Sequence, residues 1–233
     1  MKQFIFDKNT PSLNYICLKW PISKYQVSKY IFSEYKKPDL LKLSLSSLKF
    51  LKVKYNKSLS KTFYKLAKQC NLNVYNNKYH NPHHSKAVLI VAVIFAKKLK
   101  LNGYEAFLVV LISLVHDMGH QGKRVLKNPY YQEKKTINAL NKIFFRVLLN
   151  NNKWKRVERI LLNTYFSIKP KESSDNVEKI ILNADISSSV FFGFSRGLNQ
   201  SRKLKFEMDY NDKSEVLYEN FLEVLKSREV TCY

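Results

Sequence analysis

This sequence predicts an all-α bundle of about seven or eight helices, including an N-terminal helical extension, and three observations support that class. Apolar residues recur at helical spacing through most of the 233 residues; only five glycines and six prolines interrupt them; and no convincing hairpin pattern appears. Hydrophobic residues make up 45% of the chain, enough for one substantial core. We divide it into an N-terminal helical extension, 1–58, and a catalytic-type domain, 59–233.

The elements follow in chain order. Residues 23–36 carry Tyr25, Val27, Tyr30, Ile31 and Tyr35 between lysines; residues 39–54 carry a leucine stripe behind Pro38; residues 58–69 carry Leu59, Phe63, Leu66 and Ala67. Such lysine-rich amphipathic helices cover a core or lie on an acidic surface. A sharper start comes at Asn81-Pro82, where an asparagine N-cap precedes a proline at the first helical position, predicting a helix to about Leu101 with Asn102-Gly103 as its stop. Val88-Leu89-Ile90-Val91 alone would pass for a buried strand, but the capped length argues helix. Tyr104 to Asp117 is apolar on all sides through its middle and should be buried, with Gly119 ending it. Further helices are expected over Tyr130–Leu149, Trp154–Phe166, Asn176–Asp185 and Ser214–Glu229.

Composition narrows the function classes. The apolar runs Ala87–Ala96 and Ala106–Val115 are ten residues each, short of the ~20 that cross a bilayer, so no transmembrane segment is expected. Met1 to Phe6 meets Asp7 before an export signal develops, and Cys17, Cys70 and Cys232 form no C-x-x-C pair; both point to a reduced, cytoplasmic setting. The formal charge of +23 comes from lysines spread along the chain. It favours anionic substrates and weak nonspecific polyanion binding without selecting a partner, and equally describes solvated helix faces.

All five histidines fall between His80 and His120, in Tyr79-His80-Asn81-Pro82-His83-His84 and His116-Asp117-Met118-Gly119-His120. Imidazole is the commonest metal ligand and the usual acid or base near neutral pH, so this clustering marks a candidate site. Asp185, in Asn183-Ala184-Asp185-Ile186-Ser187, would complete a His84, His116, Asp117, Asp185 set suited to Zn²⁺, Mn²⁺ or Fe²⁺, with a shared carboxylate bridging to a second Mg²⁺ or Mn²⁺. His83, offset by ~100° from His84 on the helix, is expected at the surface. A lone His116 on an apolar helix would ordinarily be a core histidine; Asp117 beside it and His120 beyond weigh against that.

These three motifs, in this order, resemble the HD-domain metal phosphohydrolases, most closely the catalytic domain of class I 3′,5′-cyclic-nucleotide phosphodiesterases, over roughly residues 60–230. The resemblance implies an HD-domain helical bundle holding two divalent metals, with His84, His116, Asp117 and Asp185 as first-metal ligands and Asp117 bridging. It implies a small anionic nucleotide substrate, a hydroxide between the metals as nucleophile, and His80 as general acid. His120 would hydrogen-bond metal waters, and Glu133 would orient His80 or such a water. Leu162-Asn163-Thr164-Tyr165-Phe166 departs from the family's threonine–acid pair, and the matched motifs belong to the metal centre rather than to base recognition. A nucleotide or alarmone phosphohydrolase or nuclease of the same superfamily, and a decayed HD domain serving as a binding module, are the competing expectations.

Overall fold

The computed structural model describes residues 12–34, 37–73, 76–125, 128–148, 150–166 and 173–227; Met1–Asp7, Tyr35 and Cys232, used above, lie outside them. Among the described residues the fold is wholly helical: α1 (Leu13–Leu18), α2 (Lys24–Ile31), α3 (Leu40–Phe50), α4 (Lys57–Asn73), α5 (Pro82–Lys98), α6 (Gly103–Val115), α7 (Tyr131–Leu148), α8 (Asn151–Asn163), α9 (Asn176–Val190), α10 (Phe194–Met208) and α11 (Ser214–Ser227). No helix among them is long and apolar enough to cross a membrane.

The two all-apolar segments form the centre. Buried from Ser85 to Ala96 and from Ala106 to Val115, α5 and α6 pack on each other and both meet α9. Helices α1 to α3 contribute Leu13, Ile16, Val27, Ile31, Leu40 and Leu48 to that same buried cluster. Trp20 wedges the α1–α2 corner against Phe95, Phe191 and Phe192. Lys86, 3% exposed on α5, donates to the Tyr30 and Ser33 carbonyls at 2.9 and 2.8 Å and so satisfies the end of α2. A second cluster of Tyr79, Ile186, Val190, Leu204, Tyr218 and Phe221 joins α9 to α10 and α11.

Helix starts agree with the capping rules more closely than helix ends do. Asn81 accepts from the His83 and His84 amides at 2.9 and 3.2 Å with Pro82 first in α5. The stop differs: Lys100 takes the left-handed conformation (φ 55°) and Leu101 N–H bonds the Ala96 carbonyl at 2.9 Å. Asn102 instead precedes α6 in an extended conformation, and Gly103 is the first residue of α6. The Asn176 helix also runs on to Val190, so Asp185 stands inside it rather than at its end.

Helices α1 and α10 were not anticipated. The first is six residues, too short to show a period. The second buries Gly197, Ser201, Leu204 and Glu207, a stripe at helical spacing in which only one residue is a large apolar one. A period written in small and charged residues escapes a search for apolar ones.

Candidate metal centre

Three separate stretches bring the donors together. The capped start of α5 presents His84, the turn that closes α6 presents His116 and Asp117, and the middle of α9 presents Asp185. An ionic clasp locks α9 in place: Arg156 of α8 holds Glu105 of α6 at 2.7 Å and Asp175, the N-cap of α9, at 2.8 Å. The turn is pinned from α7, where Thr136 Oγ1 accepts from Gly119 N–H at 2.8 Å and donates to the His116 carbonyl at 3.2 Å.

His84 Nε2 and His116 Nε2 face each other at 3.5 Å. Asp117 Oδ2 lies 3.3 and 3.0 Å from them, and Asp185 Oδ1 lies 3.0 and 3.8 Å from them. Ligands ~2.0 to 2.2 Å from one ion stand roughly 3.0 to 3.6 Å apart along a coordination edge, so the spacing of His84, His116 and Asp117 could hold a cation, while Asp185 lies within that range of His84 but not of His116. His84, His116 and Asp117 place one donor atom each within 4.8 Å of one another. His116 Nδ1 donates to the Ser113 carbonyl at 3.1 Å, which turns the Nε2 lone pair toward the centre. Asp117 Oδ2 is buried and, apart from the two imidazole nitrogens beside it, has no hydrogen-bond partner among the described residues, a condition a metal would relieve.

The electrostatics agree. Burial opposes charge on His116, yet the Asp117 and Asp185 carboxylates outweigh it and lift the imidazole to about 9. Burial likewise opposes ionisation of Asp117 and Asp185, and the facing imidazoles nevertheless hold both below the ordinary carboxylate range. Two carboxylates thus concentrate negative charge beside two imidazoles, where a dication could replace a proton.

Beside this centre stand His80 and His120, their rings stacked with centroids 3.7 Å apart. The acid on His80 is Glu207 of α10, not Glu133: His80 Nδ1 lies 2.6 Å from Glu207 Oε1, while Glu207 Oε2 accepts the Tyr79 and His80 amides at 2.6 and 3.1 Å. Burial opposes charge on both partners, but the Asp117 carboxylate and then Glu207 raise His80, while His80 lowers Glu207. His120 Nδ1 accepts the Gly122 N–H at 3.1 Å; burial, then His80 beside it, lower its pKa to about 3. His80, His120 and Glu207 also lie close enough together to be a candidate metal group. The stacked rings and the direct His80–Glu207 contact make it a hydrogen-bonded pair with a neutral imidazole backing instead. Asn77 joins both loops, donating to the His80 and His120 carbonyls at 2.9 and 3.2 Å, and the left-handed Gly122 (φ 65°) leaves room for it.

Glu133 stands in the first turn of α7, and the carboxylate bonded to His80 is Glu207 instead. Glu133 Oε2 is buried without a partner. Burial chiefly, with Asp117 and Asp185 adding to it, raises its carboxyl to about 7. It therefore faces the centre as an unsatisfied acid, suited to bonding a metal's water. His83 is half-buried rather than on the surface and lines a small pocket with Tyr79, His84 and Ser189. Tyr79 itself covers His84 at 4.7 Å between rings and meets Ser189 Oγ through its hydroxyl at 2.6 Å. Glu207 was the residue missed, since nothing near it in sequence marks it. No family model, no curated protein and no solved structure matches this chain.

Proposed function

We propose that the chain is a metal-dependent phosphohydrolase of the HD type that cleaves a phosphodiester bond, with a 3′,5′-cyclic nucleotide as the first substrate class. One observation carries the reading: His84, His116 and Asp117 gather their donors within 4.8 Å of one another, with Asp185 3.0 Å from His84, beside a histidine held by its own glutamate. A nitrogen–oxygen donor set of this kind suits Zn²⁺, Mn²⁺ or Fe²⁺, and Asp117 is the carboxylate we assign to be shared with a second Mg²⁺ or Mn²⁺. Bound divalent metals would supply an ionised water near neutral pH and draw charge from the phosphoryl oxygens.

The remaining work falls to the chain's own side chains. Glu207 fixes the Nδ1 proton of His80, so Nε2 carries the proton delivered to the leaving oxygen. His120, neutral, backs that ring and keeps it from turning. Glu133 offers a lone pair toward the centre, where it can order water. The surplus of lysine draws an anionic substrate toward the protein.

The test uses the purified chain with Mn²⁺, Zn²⁺, Mg²⁺ or Fe²⁺ and three substrates: bis-p-nitrophenyl phosphate, cyclic AMP and cyclic GMP. The reading expects turnover that Asp117→Asn abolishes. Bound metal by elemental analysis with no turnover under any of the four ions would leave only a binding module. Cleavage of linear phosphates with both cyclic nucleotides untouched would move the substrate to the nucleotide, alarmone or nucleic-acid class.

A further inference from the structure

A groove of about 410 Å³ lies between the segment after α2 and one face of α10, and none of its lining residues belongs to the metal centre. Its walls carry Phe32, Arg196, Asn199, Gln200 and Arg202, with Glu34 and Lys203 at the edge. Glu34 is the only acid in the lining and is already ion-paired with Lys203. That leaves two guanidinium groups with no ion pair among the described residues.

Arg196 is the more telling of the two. Its Nη1 is enclosed and has no hydrogen-bond partner among the described residues, a state that costs about 1 to 3 kcal/mol for a buried donor and more when it is charged. The guanidinium lies over the Phe32 ring at 5.3 Å, which fixes the plane of its fork. Arg196 and Ser195 also belong to the first turn of α10, where Gly193 stands at the N-cap and no side chain caps the amides. Arg196 thus stands at the positive end of a fifteen-residue helix, and Arg202, in the middle of the same helix, lines the same groove, so that two cations face a dianion there.

We propose that this groove is a second ligand site, separate from the metal centre, for a small phosphate monoester up to the size of a nucleoside monophosphate. Arg196 and Arg202 hold the phosphate, whose charge of about −1.5 to −2 matches the two free cations. Asn199 and Gln200 face the same space with amides that can bond hydroxyls or a base edge. A volume near 410 Å³ falls within the ~300 to 1,000 Å³ typical of small-molecule sites.

The experiment titrates the isotopically labelled full chain, kept metal-free with EDTA, with inorganic phosphate and separately with AMP, following backbone amides by NMR. Shifts are expected at Ser195, Arg196, Asn199 and Arg202. Arg202→Gln, at an exposed position, and Arg196→Gln should each weaken binding at least tenfold with unchanged melting temperature, while Lys61→Gln on the distant α4 leaves it unaltered. AMP binding tighter than phosphate identifies a nucleotide-like ligand; equal binding identifies free phosphate, with the same residues holding it. Shifts confined to the surroundings of His84, His116 and Asp117 would overturn the proposal. So would a Lys61→Gln loss as large as that of Arg202→Gln, because binding would then be general attraction to a cationic surface. Arg202→Gln alone decides the matter should Arg196→Gln fail to fold.

Discussion

His80 and Glu207 stand 127 positions apart and meet at 2.6 Å, so the role of either is readable only from the pair. His80→Ala removes none of the four side chains to which metal ligation is assigned in the proposal. It should keep metal by elemental analysis while lowering turnover ~10²- to 10⁴-fold, the usual worth of a positioned proton donor. His84→Ala should lose the metal itself, and the opposite order of metal contents would refute the roles assigned here. Glu207→Gln should cost roughly 10- to 100-fold with metal content unchanged. Because Glu207 raises the pKa of His80, its loss lowers that pKa and moves the alkaline limb of the pH–rate profile to lower pH. An unmoved limb would make Glu207 a packing residue. The cysteines carry a different expectation: burial pushes the Cys17 thiol up to about 12 and raises Cys70 as well. In a Cys232→Ser background neither should react with a disulfide reagent at pH 8 until denaturant is added, and prompt labelling of the native protein would contradict the packing.

At the scale of elements, the turn after α6 is the most tightly specified piece. A Cβ on Gly119 would stand 2.4 Å from the Thr136 amide nitrogen and 2.7 Å from the Lys135 carbonyl carbon, both backbone atoms that cannot swing aside. Gly119→Ala should therefore destabilise the fold by about 1 to 3 kcal/mol and loosen metal binding, since the displaced turn carries His116 and Asp117. Thermal melting with and without metal checks both effects, and a silent variant would show that α7 can back away. Helix α10 shows the converse of a legible element. Its buried face of Gly197, Ser201, Leu204 and Glu207 packs beside α9 and α11 without an apolar stripe to announce it. The same helix supplies Glu207 to the centre and Arg196 to the groove, so overlooking it removes both from view.

Across the whole molecule, the centre sits where the α5–α6–α9 core meets the second cluster of Tyr79, Ile186 and Phe221. Its ligands come from three stretches that unfolding would separate, so metal should bind the folded chain alone. A metal at one hundred times its dissociation constant would then add ~2.7 kcal/mol to stability. Calorimetry should show a higher melting temperature with Zn²⁺ or Mn²⁺, reversed by EDTA and much reduced in Asp185→Ala. No difference between metal-loaded and chelated protein would argue against four converging ligands.

Local patterns in the chain were enough to read the helical class, the N-cap at Asn81, the buried pair α5 and α6, and the gathering of His84, His116 and Asp117 with Asp185 beside His84. Each of these is marked locally, by a period, a cap or a short motif. It took the folded chain to show that Glu207 pairs with His80, that Asp185 lies inside a longer helix, and that two arginines of α10 line an open groove. Those features depend on which distant surfaces pack together, and a polar residue on a weakly apolar helix carries no sign of its neighbour until the fold brings the two into contact.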